Sequence, residues 1–128
     1  MLSALTCDYK GLLPMAHAFC EGADSTPYDV FLCDALSSDF QEPQWCDEAI
    51  DSLKLAAASD TQEDIWVGNA YSLEYSGGRV LFENVLTNES GFSASVQEVI
   101  FALRSWRTFL ADRQPATFVL EAGTSDEP

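Results

Sequence analysis

The stretch from Gly68 to Gln114 constrains this chain more than any other. Tyr71, Leu73 and Tyr75 alternate with Ser72 and Glu74, the two-residue period of a strand with one buried face. A second segment, Val80 to Leu86, follows Ser76-Gly77-Gly78-Arg79, and adjacent glycines supply the positive φ angles of a tight turn. The pattern predicts a β-hairpin. Beyond a loop over Thr87 to Ala94, Ser95 stands three residues before Glu98, the spacing of a reciprocal capping box. Val96, Val99, Ile100, Leu103, Trp106 and Leu110 then recur at helical steps, and Pro115 ends the run. A capped amphipathic helix lying across the hairpin is the expected core.

The first half of the chain is less decided. Met1 to Lys10 gives no clear period, and Gly11 and Pro14 break any helix drawn through it. Met15, His17 and Phe19 alternate with Ala16, Ala18 and Cys20, which suggests a strand; a short helix over Leu12 to Cys20 is the competing reading. Tyr28 to Cys33 is rich in strand formers, and the turn-like connection 21–27 makes a first hairpin with Met15 to Cys20. Asp34 to Glu42 reads as a polar connection. Pro43 suits the first position of a helix running to about Ala58, with Trp45, Cys46, Ala49, Ile50, Leu53, Ala56 and Ala57 as its apolar stripe. Ile65-Trp66-Val67 leads back to the central hairpin, and Thr117 to Leu120 suits an additional edge strand. The expected fold is α+β: an antiparallel sheet of about four strands, in two hairpins, covered by two amphipathic helices. Residues 1–122 are read as one domain, and 123–128 as a flexible acidic tail.

Charge narrows the function. The chain has 21 acidic residues and 6 basic ones, a net charge of -15, so nucleic acid is an unsuitable partner. Residues 21–64 hold twelve of the acids and one base, Lys54, leaving eleven of the fifteen net negative charges in that segment. Such clustering suits a basic protein partner, and the candidate contact set is Asp39, Glu42, Asp47, Glu48, Asp51, Asp60, Glu63, Asp64 and Trp66. Asp47, Glu48 and Asp51 have a second explanation in the helix dipole, which favours carboxylates near an N-terminus; the same dipole accounts for Arg104, Arg107 and Arg113 late in the last helix.

Catalytic signals are weak. His17 is the one imidazole and has no partner motif, Ser76-Gly77-Gly78-Arg79 lacks the lysine and helix of a phosphate loop, and no carboxylate pair is singled out. No enzyme activity, cofactor or metal is expected. The cysteines, Cys7, Cys20, Cys33 and Cys46, stand thirteen apart without a zinc or redox spacing, and are read as reduced, buried thiols. No run is long and apolar enough to span a membrane, and Met1 to Lys10 has no secretory pattern, so a cytoplasmic protein is expected.

The segment Val67-Gly68-Asn69-Ala70-Tyr71-Ser72-Leu73-Glu74, continuing through Val80-Leu81-Phe82-Glu83-Asn84 to Ala102-Leu103-Arg104-Ser105-Trp106-Arg107-Thr108-Phe109-Leu110, covers about a third of the chain. With the acidic composition, this hairpin and Trp-containing closing helix resemble the immunity proteins that bacteria pair with polymorphic or contact-dependent growth-inhibition toxins. The resemblance implies a protein that binds a cognate toxin domain, often a basic nuclease, and blocks its active site or substrate surface. Immunity families share no common binding motif, so it carries over no site residue. The competing reading is a small structural or adaptor domain whose acidity serves solubility.

Overall fold

The computed structural model describes residues 4–10, 15–22 and 25–119. The break at Gly11 to Pro14 and the tail 123–128 lie outside the described residues. The fold is α+β, and the described residues form seven strands in two antiparallel sheets and three helical segments. One sheet has the order β2-β1-β7, from β1 (Ala4–Lys10), β2 (Met15–Glu21) and β7 (Ala116–Val119). The other runs β3-β4-β5-β6, from β3 (Glu63–Val67), β4 (Tyr71–Ser76), β5 (Arg79–Asn84) and β6 (Phe92–Ser95). Helical segment α1 spans 25–39, with a turn at Ser25–Pro27, a π-helical stretch at Tyr28–Cys33 and an α-helix at Asp34–Asp39. Helix α2 is Pro43–Ser59 and α3 is Val96–Asp112.

The central prediction holds. Strands β4 and β5 pair from Tyr71↔Asn84 to Ser76↔Arg79, and Gly77 and Gly78 turn the chain at φ 57° and 83°. Tyr71, Leu73, Tyr75, Val80 and Phe82 all point into the core. The capping box forms as spaced: Glu98 N–H donates to Ser95 Oγ at 3.1 Å, and Ser95 N–H to Glu98 Oε1 at 3.2 Å. Trp106 is fully buried, and Phe109 of α3 meets Tyr9 of β1 with ring centroids 4.9 Å apart. Helix α3 thereby touches both sheets, and one continuous core results.

The first hairpin is built differently from the prediction. The partner of β2 is β1, in register from Ala4↔Glu21 to Lys10↔Met15, and Tyr28–Cys33 is helical. Tyr28, Leu32, Cys33, Ala35, Leu36 and Asp39 are its buried positions, a helical spacing that a six-residue window of strand formers conceals. The polar connection 34–42 accordingly contains the last part of α1, and β6 occupies the end of the expected loop 87–94.

Segment α1 covers the free edge of β2. Asp29 Oδ1 accepts from Cys20 N–H at 3.1 Å, Ser37 Oγ accepts from Ala18 N–H at 2.9 Å, and Gln41 Nε2 donates to the Ala16 carbonyl at 3.1 Å. The edge is closed to other strands by side chains. Cys20 and Cys33 form a disulfide within the same contact, with Cα atoms 6.5 Å apart.

Candidate partner-binding face

The nine predicted contact residues divide by what they touch. Asp39, at 6% exposure, turns inward: Oδ2 accepts from Tyr71 N–H at 2.8 Å and Oδ1 from Ala70 N–H at 3.1 Å. Its carboxylate orders the entry to β4 and is not one of the exposed acids, reaching solvent only at the base of a cleft. The buried N–H groups there would otherwise lack an acceptor, which is why an acid stands at this place. Asp47 pairs with Arg107 Nε at 2.7 Å across α2 and α3. Asp60 ends α2 at φ 50°, and its Oδ1 accepts from the Tyr75 hydroxyl at 2.6 Å, which raises the Tyr75 phenol above its ordinary range.

The same holds for acids outside the predicted set. Glu21 accepts from Thr6 Oγ1, Asp29 from Cys20 N–H, and Asp34 Oδ2 lies 2.6 Å from the Tyr71 hydroxyl. Six of the twelve acids between 21 and 64 are therefore occupied within the molecule. Glu42, Glu48, Asp51, Glu63 and Asp64 are exposed, and their carboxylates hold no hydrogen bond or ion pair among the described residues.

Those five fall on two sides of α2. Asp51 lines a hollow of about 530 Å³ with Asp47, Ile50, Lys54, Arg104, Arg107 and Thr108. This groove gathers three of the six cations: Arg107 pairs with Asp47 of α2, Arg104 lines the same hollow, and the last turn of α3 holds no basic residue, so the predicted dipole role of these two does not apply. The other side carries Trp45 and Glu48, one helical turn apart, next to β3, where Glu63 and Trp66 pair opposite the inward Tyr75 and Leu73 while Asp64 pairs opposite Glu74 on the other face of the strand. Trp45 belongs to the predicted apolar stripe but is 36% exposed, its ring 6.2 Å from that of Trp66. Trp66 is half-buried and rests on Phe40 at 4.5 Å. Ser38, Asp39, Trp45, Trp66, Gly68 and Asn69 line a cleft of about 240 Å³ between these elements. Of these, Trp45, Gly68, Asn69 and Ser38 escape a sequence reading based on charge; the signal for Trp45 is a tryptophan at the flank of an otherwise small-residue stripe.

His17 shares a hollow of about 280 Å³ with Ala18, Asp29, Val30 and Asp34. No hydrogen bond joins its ring to either carboxylate among the described residues, and both carboxylates are engaged elsewhere. Cys20, Asp29 and Cys33 bring potential ligand atoms within 4.8 Å of one another, but the two sulfurs are bonded together. The disulfide corrects the expectation of four reduced thiols. Cys7 and Cys46 are free and buried, and burial pushes each thiol up to about 12, aided at Cys46 by the adjacent Asp47. Such thiols are poor nucleophiles at neutral pH. Among the described residues, no helix is long and apolar enough to cross a membrane. Compared with protein-family models, with curated proteins and with solved structures, the chain gives no significant match.

Proposed function

We propose that this protein is an immunity-type inhibitor that binds a basic toxin domain, such as a nuclease, through the α2–β3 face. The observation that supports it most is the residue of unengaged charge: Glu42, Glu48, Glu63 and Asp64 remain exposed and unpaired on the elements that present Trp45 and Trp66. An aromatic anchor with a charged surround is the usual composition of an energetically focused contact. Carboxylates facing a phosphate-binding cleft raise association rates by about 10- to 1000-fold through steering. The reading involves no catalysis, cofactor or nucleic acid, and the protein acts where its toxin would, in the cytoplasm.

The test is capture of the partner from the native host, followed by association kinetics with the purified pair. A basic partner is expected, with an on-rate that falls at least tenfold between low and high salt. The variant Glu42→Gln/Glu48→Gln/Glu63→Gln/Asp64→Asn is expected to lose that salt dependence. An on-rate indifferent to both salt and variant would overturn the proposal and favour an adaptor domain with solubilising acidity, a reading to which the six internally engaged acids already lend support.

A further inference from the structure

The cleft beside β3 has more specific chemistry than its acidic surround. Its base is a carboxylate, Asp39, buried to all but 6% and held by two backbone N–H groups. A carboxylate offers about four acceptor positions, so these two donors do not exhaust it. The Trp66 indole Nε1–H is buried and has no hydrogen-bond partner. A donor in that state is uncommon in a folded protein and calls for an explanation. Gly68 brings the two groups together: a Cβ there would stand 2.4 Å from Asp39 Oδ2 and 2.5 Å from Trp66 Nε1. The Trp45 ring, inclined 45° to that of Trp66, forms the outer wall.

The volume, about 240 Å³, lies below the roughly 300–1,000 Å³ of small-molecule and cofactor sites, and suits one long side chain. Buried negative charge excludes an anionic occupant. Aromatic walls and a carboxylate base favour a cation, and a planar guanidinium both stacks on indole and forks onto a carboxylate. The indole N–H requires an acceptor, which a guanidinium lacks and a peptide carbonyl supplies. We propose that the Trp45–Trp66 cleft receives an arginine side chain of the basic partner, with the guanidinium between the Trp45 ring and the Asp39 carboxylate and a neighbouring main-chain carbonyl on Trp66 Nε1–H. This assignment rests on the α2–β3 face being the binding surface, and names the partner residue that enters it.

The probe is the capped tripeptide acetyl-Gly-Arg-Gly-amide, titrated into the ¹⁵N-labelled protein while the three indole N–H resonances are followed. Trp106, whose indole donates to the Phe40 carbonyl inside the core, is the internal reference. A saturable shift of the Trp66 resonance is expected, at least tenfold weaker with citrulline in place of arginine, and weaker with lysine. Trp45→Ala is expected to abolish the shift and Trp45→Phe to restore part of it, with the Trp106 resonance unmoved in both. Equal binding of the citrulline peptide, or no Trp66 shift up to tens of millimolar arginine peptide, overturns the assignment. If the captured partner still binds with salt dependence while the tripeptide is silent, the cleft assignment fails alone. If the tripeptide binds the cleft but no basic partner exists, the inhibitor reading fails alone.

Discussion

At the residue scale, one carboxylate decides how the acidic segment should be understood. Asp39 sits in the stretch richest in negative charge, yet it accepts from Ala70 N–H and Tyr71 N–H inside the fold. Asp39→Ala would leave the buried Tyr71 N–H unmet, at about 1–3 kcal/mol, and the part-buried Ala70 N–H at less, while Asp39→Asn keeps one acceptor and costs less. Urea unfolding should rank them in that order; an alanine variant as stable as wild type would show the carboxylate to be dispensable. Gly68→Ala drives a methyl into the same carboxylate and the Trp66 indole, and should cost roughly 1–3 kcal/mol by overpacking. Tyr71 shares the alkaline pH dependence with Tyr75 and the buried Cys7 and Cys46 thiols, all raised in the fold. Burial first, and then Asp34, hold the Tyr71 phenol above the ordinary value of 10.0. The unfolded chain therefore ionises first, so the stability this group contributes is complete below pH 10 and is lost as pH rises above it. The urea midpoint should fall above that pH in wild type and less steeply in Tyr71→Phe; parallel falls would mean the phenol does not matter.

At the scale of elements, legibility followed local completeness. The β4–β5 hairpin and α3 carry their own signals, a glycine pair and a reciprocal cap, within a few residues, and both form where those signals stand. The start of α2 was equally legible from Pro43. Segment α1 was not, because Tyr28, Val30 and Phe31 favour a strand locally, and only contacts with β2, Phe92 and Tyr71 make a helix the better use of them. Within the candidate site, Trp66 and the exposed Glu42, Glu48, Glu63 and Asp64 could be named from charge and aromaticity, whereas the burial of Asp39 depends on a residue 32 positions away and leaves no local trace. The thirteen-residue cysteine spacing was visible and its meaning was not. Closing a loop of that length contributes about 3 kcal/mol, so reduction, or Cys20→Ser/Cys33→Ser, should lower Tm by on the order of 10 °C. The side-chain bonds from Asp29, Ser37 and Gln41 to β2 should still hold α1 in place. Disulfides are rare in the cytosol, so alkylation of unfolded protein trapped in the native host discriminates directly. Two reactive thiols mean the bond exists in the cell, and four mean it forms only after isolation.

At the scale of the whole molecule, the net charge of -15 sets two salt effects against each other. The exposed Asp47–Arg107 pair contributes little and weakens with salt. Repulsion among carboxylates is stronger in the compact state than in the unfolded chain, and it weakens with salt too. Three of the six cations share the α2–α3 groove, which leaves the α2–β3 face with little internal compensation. Repulsion should therefore dominate, and because the screening length drops from about 30 Å at 0.01 M to about 3 Å at 1 M, added sodium chloride should raise the urea midpoint steadily. Association with a basic partner should slow over the same range, since the charge that strains the fold is the charge that steers the encounter. The two trends have one origin, so Glu42→Gln/Glu48→Gln/Glu63→Gln/Asp64→Asn should flatten both together. A variant that flattens the kinetics and leaves the salt dependence of stability intact would place the repulsion elsewhere on the surface; a midpoint that falls with salt in wild type would mean that ion pairs, and not repulsion, govern this fold.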